Sequence, residues 1–422
     1  MQPSDSPQYR VITARSSTGE LIDVQLLADG RGRMRVATIE PSVPGARSAD
    51  CVQVSRQNSP AHLDLSDHVL LPPAADPHAH LDKALSWDEL NPAVGDLGAA
   101  IECWQRGARI FDEDDFYRRA KTAALLMLSR GTTAVRTHVD ILSGDDPYRG
   151  IRALARVARE VAAAMVIEIA ALAPPTTESH VISGALDAGA DLVGGAPHIA
   201  DDPCSEVARL VGLAESRGVG VDLHTDEFLF GDHGTIDTFA KLVAHWPAGR
   251  TRTAGHCCRL STMTREELEH SISLLHLGGV SVVTLPITNL YLQGHGSVGA
   301  GPRGIAPIDA LLRGGVRVAA GADNIRDPFN PMGRGDALET ASLLVTAGHQ
   351  PPQTALDLVT DSARQVLGLE RAGPVLGAVA DFLAVRAGNQ VEAVANAPDA
   401  RVVIVDGRVV SRTETTTWNV IT

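Results

Sequence analysis

The chain has 422 residues, 44% of them hydrophobic, and carries 37 Lys and Arg against 51 Asp and Glu, a net charge of −14. This length allows one large domain and a smaller one. The acidic balance, without a basic cluster, argues against nucleic acid as a partner. No stretch approaches the roughly 20 apolar residues that a membrane span needs, so no membrane association is expected.

Two further features concern the cellular location. Residues 1–10 lack the basic and apolar segments of a secretory signal peptide. The five cysteines, two of them adjacent at Cys257 and Cys258, form no paired framework. Both features predict a reducing, cytoplasmic location.

Both ends of the chain are rich in short strand-like segments. Near the N-terminus these are residues 9–12, 21–27 and 34–39, and near the C-terminus residues 380–385, 401–405 and 408–410. The pair Asp406-Gly407 between the last two is a strong hairpin signal. Neither end has enough apolar length for a core of its own. We therefore expect residues 1–70 and 371–422 to form one small β-sandwich, with residues 71–370 as the main domain.

The middle of the chain alternates between strand-like and helical patterns. Eight apolar runs read as strands: 69–71, 132–138, 166–173, 192–198, 219–224, 251–256, 280–287 and 316–322. Most are separated by segments with helical periodicity: 116–128, 152–164, 205–216, 236–245, 265–275 and 307–312. Eight such repeats predict an α/β fold, a (β/α)8 TIM barrel. The alternative is a doubly wound open sheet, but no Gly-rich phosphate turn follows the first strand.

Histidines and acidic residues recur where the predicted strands end. His78 and His80 follow the first strand, and side chains two apart on an extended backbone share a face and can reach one cation. Further strand ends carry His138 and Asp140, His198, His224 with Asp226 and Glu227, His256, and Asp323. Active sites of TIM barrels lie at the carboxyl ends of the strands. The pattern therefore predicts a metal site at the barrel mouth.

Several segments of the sequence resemble the amidohydrolase superfamily, and within it cytosine deaminase and its relatives. The fold that this resemblance implies is a distorted barrel with a β-sandwich built from both termini. The resemblance extends from about residue 69 to the C-terminus. It rests on a set of motifs: LPP at 71–73, DPHAHLD at 76–82, VRTHVD at 135–140, GAPH at 195–198, VDLHTDE at 221–227, NLYLQG at 289–294, ADN at 322–324 and DPFNP at 327–331. Together these motifs are specific, although no single one is.

The resemblance implies a role for each matching residue. The ligands of one divalent metal, Zn²⁺ or Fe²⁺, would be His78, His80, His224 and Asp323, with a position left for water. The cation would lower the pKa of that water toward ~7 to give hydroxide, and Asp323 would also accept its proton. Glu227 resembles the family's proton shuttle, and its alternative is a solvated loop carboxylate. His256 resembles the residue that hydrogen-bonds the attacking water and the developing oxyanion.

A missing lysine decides the number of metal ions expected. Two-metal members of the superfamily use a carboxylated lysine at the end of strand four, where this chain has Gly-Ala-Pro-His198. We therefore expect a mononuclear centre. His138 and Asp140 are expected to make supporting hydrogen bonds, and His198 is expected to bond to neighbouring backbone.

The predicted substrate contacts depart from those of cytosine deaminase. Where that enzyme reads its pyrimidine with a glutamine, this chain has Pro175, which supplies no side-chain amide. Asn324 and Phe329 replace a carboxylate and a tryptophan after strand eight. Lys83 suits an anionic substrate group, or pairs with Asp82. Cytosine is therefore not the expected substrate.

Three more loop residues are candidates for substrate binding. Leu81 could sandwich a planar ring with Phe329. Gln293 and Arg303 could hydrogen-bond a substrate carbonyl, or cap the barrel rim. Trp104, on an expected helix near the mouth, is assigned to packing.

We expect a metal-dependent hydrolase that attacks a C–N bond of a small-molecule substrate, and deamination of a planar amino-heterocycle is the leading form. The first alternative is an amidohydrolase that opens a cyclic amide or removes an N-alkyl amine from a triazine-like ring. The second is a catalytically inactive scaffold. The substrate and the oligomeric state, including a homo-oligomer, stay open.

Overall fold

The computed structural model describes residues 8–42, 61–92, 95–295, 298–299 and 301–420. Two compact units divide the chain. One comprises Met1–Ala74, Met127–Thr133 and Glu370–Thr422, and the other Ala75–Leu126 and Ala134–Leu369. The predicted domain bounds at residues 70 and 370 stay a prediction.

The strands fall into two sheets. In chain order they are β1 Val11–Arg15, β2 Leu21–Ala28, β3 Met34–Pro41, β4 His62–Leu71, β5 Ala74–Ala79, β6 Thr132–Asp140, β7 Val166–Ala173, β8 Leu192–Gly195, β9 Val221–Thr225, β10 Arg252–His256, β11 Ser281–Thr284, β12 Val318–Ala320, β13 Phe382–Val385, β14 Arg401–Val405 and β15 Arg408–Thr413. Strands β5 to β12 form one sheet, and the remaining strands form the other.

Most of the helices alternate with the strands of the β5–β12 sheet. In chain order they are α1 Trp87–Leu90, α2 Leu97–Gly107, α3 Glu113–Ser129, α4 Arg149–Val161, α5 Ser179–Asp187, α6 Pro203–Arg217, α7 Ile236–Val243, α8 Arg265–Gly278, α9 Pro286–Leu292, α10 Ile308–Arg313, α11 Ala337–Thr346, α12 Pro352–Leu358, α13 Asp361–Val366 and α14 Gln390–Asn396. No helix in the described part of the chain combines the length and apolar composition that a membrane crossing requires.

The termini form one mixed sheet with the order β15-β14-β13-β4-β1-β2-β3. β1 and β4 are parallel, and the other paired strands run antiparallel. Alternate residues of its strands share one apolar cluster that includes Ile12, Val24, Phe382 and Ile404, as the period of a strand dictates. The predicted hairpin is confirmed, since Asp406-Gly407 joins the antiparallel β14 and β15.

The second sheet is the predicted barrel. Neighbours from β5 to β12 pair in sequence order. A parallel bridge between Ala79 and Asp323 brings the first strand against the segment after the last. There Asp323 N donates to His78 O at 3.0 Å, and His80 N donates to Asp323 O at 3.0 Å. The expected (β/α)8 architecture is confirmed, and the closure itself places three of the predicted site residues together.

Local sequence signals account for the well-predicted helices. In α6 the side chain of Asp202 accepts from the backbone of Ser205, Pro203 occupies the first turn, and Gly218 ends the helix with a φ of 69°. The buried face of α6 includes Val207, Leu210, Val211 and Ala214. The helix therefore follows from its caps and from apolar residues spaced three and four apart.

Three strand predictions were wrong in detail. The run 69–71 ends β4 of the terminal sheet, whereas the first barrel strand is β5, which continues through Pro77. β8 stops at Gly195, so His198 lies in a short 3-10 turn, Pro197–Ile199. The run 280–287 ends as a strand at Thr284, because Pro286 begins α9, where proline is well tolerated at a helix start.

Candidate active site

The candidate site is assembled from the carboxyl ends of the barrel strands. His78 lies in β5 with His80 directly after it, His224 lies in β9, His256 ends β10, and Asp323 follows β12. All five are buried. His256 and Asp323 have φ values of 64° and 59°. This left-handed region is uncommon for such residues and is often found where a backbone is held for function.

Four of these side chains converge on one point. Nε2 of His224 lies 3.3 Å from Nε2 of His78 and 3.1 Å from Nε2 of His80. Oδ1 of Asp323 lies 3.3 Å from Nε2 of His80 and 3.9 Å from Nε2 of His78. Four ligands at about 2.0–2.1 Å from a tetrahedral cation lie about 3.3 Å from one another. The four spacings given above are close to that value, so these side chains are candidates to hold a single divalent cation.

The protonation states of these groups also fit a cation. Burial lowers the pKa of His78, His80 and His224 well below its usual value, so the rings are neutral, the form that binds metal. The carboxylate of Asp323 is buried, and the only described hydroxyl that affects its pKa is that of Thr288, which also donates to Asn324 at 3.2 Å. Burial is costly for a carboxylate and raises the pKa of Asp323. A bound cation would offset that cost.

Two other groups of three side chains have ligand atoms close enough together to hold a cation. The ligand atoms of His78, His138 and His224 lie within 4.8 Å of one another, as do those of His78, His256 and Asp323. However, Nε2 of His138 lies 3.5 Å from the buried carboxylate of Asp222. His256 instead faces Glu227 and Asn289. The set of His78, His80, His224 and Asp323 has four ligand-atom spacings of 3.1–3.9 Å, and it leaves His138 and His256 with the partners just named.

A buried ion pair supports the site from inside the barrel. Arg136 is fully buried, and its guanidinium contacts Glu168 at 2.6 Å and Asp222 at 2.8 Å. It also donates to the Thr253 hydroxyl at 3.0 Å. These groups come from β6, β7, β9 and β10. Arg136 therefore links four strands just behind the histidines.

Glu227 and His256 form a second pair at the site. Oε1 of Glu227 lies 3.4 Å from Nδ1 of His256, and Nδ2 of Asn289 donates to the same nitrogen at 3.0 Å. Because Nδ1 accepts, the ring proton lies on Nε2, which has no partner among the described side chains. Burial raises the pKa of Glu227 to about 8, so its carboxyl can hold a proton at neutral pH.

The backbone around Glu227 is fixed from both sides. Asp226 has a φ of 51°, and its carboxylate accepts from the backbone and hydroxyl of Thr235 at 2.6 and 2.7 Å. Nε2 of Gln293 donates to the Glu227 carbonyl at 3.1 Å. This loop therefore holds the Glu227 side chain at the cavity wall.

Asp76 connects the first and last strands of the barrel. Its carboxylate accepts from the backbone of His78 at 3.1 Å and of Ala322 at 3.0 Å. A Cβ at Gly321 would lie 2.6 Å from the same carboxylate, so only glycine permits this approach. Asp76 thus fixes the spacing between His78 and the segment that carries Asp323.

The converging groups open into a cavity of about 130 Å³, close to the roughly 150 Å³ that holds benzene in an engineered core. Its apolar wall comprises Leu97, Ile101, Trp104, Leu172, Ala173, Pro174, Pro175, Ala196, Ile199 and Phe329. Its polar wall comprises His80, Lys83, Gln105, Asp140, His198, His224, Glu227, His256, Asp323 and Asn324. The apolar wall suits a small planar molecule, and the polar wall can fix the orientation of that molecule.

The predicted substrate-binding residues divide into two groups. Lys83, Pro175, Asn324 and Phe329 line the cavity. The remaining three do not lie on its wall: Leu81, Gln293 and Arg303. Leu81 is fully buried. Gln293 donates to the Glu227 backbone, and Arg303 donates to the carbonyls of Gln293 and Leu290 at the barrel rim.

Lys83 forms ion pairs with two carboxylates, so its ammonium is not left open for an anionic substrate group. Its Nζ contacts Asp140 at 2.8 Å and Asp82 at 3.1 Å. Trp104 donates from Nε1 to the other oxygen of Asp140 at 2.6 Å. Trp104 packs in an apolar cluster with Phe111 and Phe116, as predicted, and it also lines the cavity and orients Asp140. The sequence signal for this contact was the position of Trp104 on α2 near the mouth.

His198 fulfils the expectation of a bond to neighbouring backbone. Its Nδ1 donates to the His224 carbonyl at 3.1 Å, and burial lowers its pKa to about 4. The ring is therefore neutral, and its Nε2 is an acceptor without a partner among the described residues.

Comparison with known proteins shows the family of this chain. The model of the amidohydrolase family matches residues 97–411. The chain therefore belongs to the amidohydrolase family, and it is a hydrolase of C–N bonds other than peptide bonds, a metal-dependent deaminase or amidohydrolase.

Individual relatives cover nearly the whole chain. Pterin deaminase from Rhizobium rhizogenes is 28% identical over 88% of this chain and 90% of its own length. The structure of 5-methylcytosine deaminase from Klebsiella pneumoniae with 5-fluorocytosine has a TM-score of 0.81 and 25% identity, over 97% of this chain and 99% of that one. N-isopropylammelide isopropylaminohydrolase from Burkholderia multivorans has a TM-score of 0.77 and 27% identity, over 95% and 98%.

Proposed function

We propose that this protein deaminates a small planar amino-heterocycle other than cytosine, releasing ammonia and leaving a ring carbonyl. The observation that carries the proposal is the convergence of His78, His80, His224 and Asp323 beside Glu227 on the wall of an apolar cavity. A scaffold without activity would have no need for a buried acid next to such a cluster.

The four converging side chains are the proposed ligands of one divalent metal, Zn²⁺ or Fe²⁺. Three neutral imidazoles and one carboxylate suit either ion. When bound, the cation lowers the pKa of water toward ~7 and supplies a nucleophile at neutral pH. Asp323 would hold the cation together with the three histidines and would also accept a proton from the nucleophile.

Glu227 is the proposed proton carrier. Its side chain is buried at the cavity wall, and burial raises its pKa to about 8. At neutral pH the carboxyl can therefore protonate a ring nitrogen or the departing amine. His256, with its proton on Nε2, is placed to donate a hydrogen bond to the oxygen that develops negative charge.

The cavity supports a planar ring and argues against cytosine. Pro174, Pro175, Ile199 and Phe329 supply flat or apolar surface. Pro175 offers no amide with which to read a pyrimidine carbonyl and N–H. Leaving such a buried substrate group unpaired costs about 1–3 kcal/mol.

Removal of an N-alkyl amine is the second candidate. It is favoured by the likeness to N-isopropylammelide isopropylaminohydrolase, which covers 95% of this chain at 27% identity. Both reactions break a C–N bond at the same kind of ring carbon, and they differ in the leaving amine.

A screen of metal-loaded enzyme distinguishes these reactions. Aminopyrimidines, pterins, aminotriazines, N-isopropylammelide and cyclic ureas would each be assayed for ammonia, for isopropylamine and for loss of the ring's ultraviolet absorption. Ammonia release with an intact ring is expected for at least one amino-heterocycle. Isopropylamine release alone would favour the second candidate, and loss of the ring absorption would favour ring opening. No product from any of these compounds would overturn the proposal.

The predicted cytoplasmic location remains part of the proposal. The described cysteines, Cys103, Cys204, Cys257 and Cys258, are all free thiols, which is typical of a reducing compartment.

A further inference from the structure

A buried charge cluster forms one side of the cavity, next to the proposed metal ligands. Lys83 Nζ lies 3.4 Å from Nδ1 of His80, and the same ammonium contacts Asp82 and Asp140. His80, Lys83 and Asp140 all line the cavity. The cluster is therefore within reach of a molecule bound at the reacting end.

Asp140 is the most exposed side chain of this cluster, and its carboxylate is a hydrogen-bond acceptor. The side chain of Asp140 is 17% exposed, against 3% for Lys83 and 1% for Asp82. One lysine opposite two aspartates gives a wall with no net positive charge. An anionic substituent directed there would face the more exposed carboxylate of Asp140 as well as the ammonium of Lys83, and the like charges of the two carboxylates would repel.

Asp140 is also held in a fixed orientation. Lys83 occupies Oδ1 at 2.8 Å, Trp104 Nε1 occupies Oδ2 at 2.6 Å, and the backbone N–H of Asp140 donates to Asp82 at 3.0 Å. An ionised carboxylate has about four acceptor positions, so two remain for a ligand. The carboxylate is thus prepared to accept hydrogen bonds without further ordering.

We infer that Asp140 is a specificity-determining residue that accepts N–H groups of the bound heterocycle, and that the cavity selects uncharged rings with N–H donors over analogues that carry a carboxylate. The inference rests on the proposed function and names the substrate class of that same site. Of the two expectations for Lys83, it follows the pairing with Asp82, which the structure shows at 3.1 Å, rather than the binding of an anionic substrate group.

Binding measurements on an inactive enzyme separate this inference from the proposed function. Metal-loaded Glu227→Gln protein would be titrated by calorimetry with pterin and with pterin-6-carboxylate. Pterin is expected to bind at least 10-fold more tightly. Equal or tighter binding of the carboxylate would overturn the inference, as would no binding of pterin at millimolar concentration, whether or not the unmodified enzyme releases ammonia from any ring.

Asp140→Asn, added to the same background, tests the residue itself. Loss of a charged acceptor is expected to weaken the binding of pterin by about 10- to 100-fold. The ratio of the dissociation constants of pterin-6-carboxylate and pterin should therefore become smaller. The matched control is Asp201→Asn, which removes an exposed aspartate outside the cavity and should leave both affinities unchanged. An unchanged pterin affinity in Asp140→Asn, or an equal loss for both ligands, would overturn the inference.

Trp104→Phe provides a second variant if Asp140→Asn does not fold. The ring remains, but the N–H that orients Asp140 is lost. We expect pterin to bind about 3- to 10-fold more weakly and pterin-6-carboxylate to lose less affinity than pterin does. Circular dichroism and metal content verify folding for each variant. Equal effects on the two ligands would assign Trp104 and Asp140 to packing alone and overturn the inference.

Discussion

Replacing Glu227 with glutamine isolates proton transfer from the rest of the site. The amide keeps the size of the side chain but cannot exchange a proton. General acid–base groups contribute about 100- to 10,000-fold, so kcat should fall by that factor, equivalent to about 3–5 kcal/mol of transition-state stabilisation. Glu227 is not among the four converging ligands, so the metal content should stay at the level of the unmodified enzyme.

The same variant predicts a change in the pH dependence of stability. In metal-free protein, burial raises the pKa of Glu227 from 4.5 to about 8. Between these values the folded state binds a proton that the unfolded state releases, so stability falls as the pH rises, by up to about 1.4 kcal/mol per pH unit. Glu227→Gln should remove this contribution.

Steady-state kinetics, metal analysis and urea unfolding at pH 5–8 test both expectations. The matched control is Glu266→Gln in the first turn of α8, where the side chain is exposed. Full turnover in Glu227→Gln would exclude Glu227 as the proton carrier. An unchanged pH dependence of metal-free stability would refute the reasoning from burial.

Three further perturbations address the supports of the site. Asp76→Ala leaves two buried backbone N–H groups without an acceptor and should lower the free energy of unfolding by about 2–6 kcal/mol; a loss below 1 kcal/mol in urea titration would contradict the role of Asp76. Arg136→Met breaks the buried pairs with Asp222 and Glu168 and should cost about 3–5 kcal/mol in the same assay, whereas a stability equal to that of the unmodified protein would show that the pairs contribute nothing. Removal of the metal with a chelator should abolish turnover and lower the thermal midpoint, because a cation at 1,000 times its Kd stabilises the folded state by about 4 kcal/mol; activity that survives metal removal would argue against a metal-dependent reaction.

The alternation of strands and helices was predictable because local rules govern it. β7 matches its predicted range of 166–173, and β14 matches 401–405. The first barrel strand was misplaced because Pro72 and Pro73 end one apolar run, while β5 accommodates Pro77. Periodicity alone does not tell which sheet a short apolar run joins.

The residues that converge were predictable from the barrel topology, because strand ends meet at one mouth. The side chains that contact the site residues were not predictable from the sequence. That Lys83 is paired with Asp140, and that Gln293 holds backbone rather than facing the cavity, depends on side-chain packing between segments distant in sequence. The same holds for α2, which places Trp104 in the cavity wall.

Metal analysis of the purified protein and its ligand variants tests the central claim most directly. Elemental analysis by mass spectrometry should find one equivalent of Zn²⁺ or Fe²⁺ per chain, and His224→Ala and Asp323→Ala should each lose nearly all of it while circular dichroism shows a folded barrel. A chain that binds no divalent cation, or folded variants that retain the full equivalent, would contradict the account.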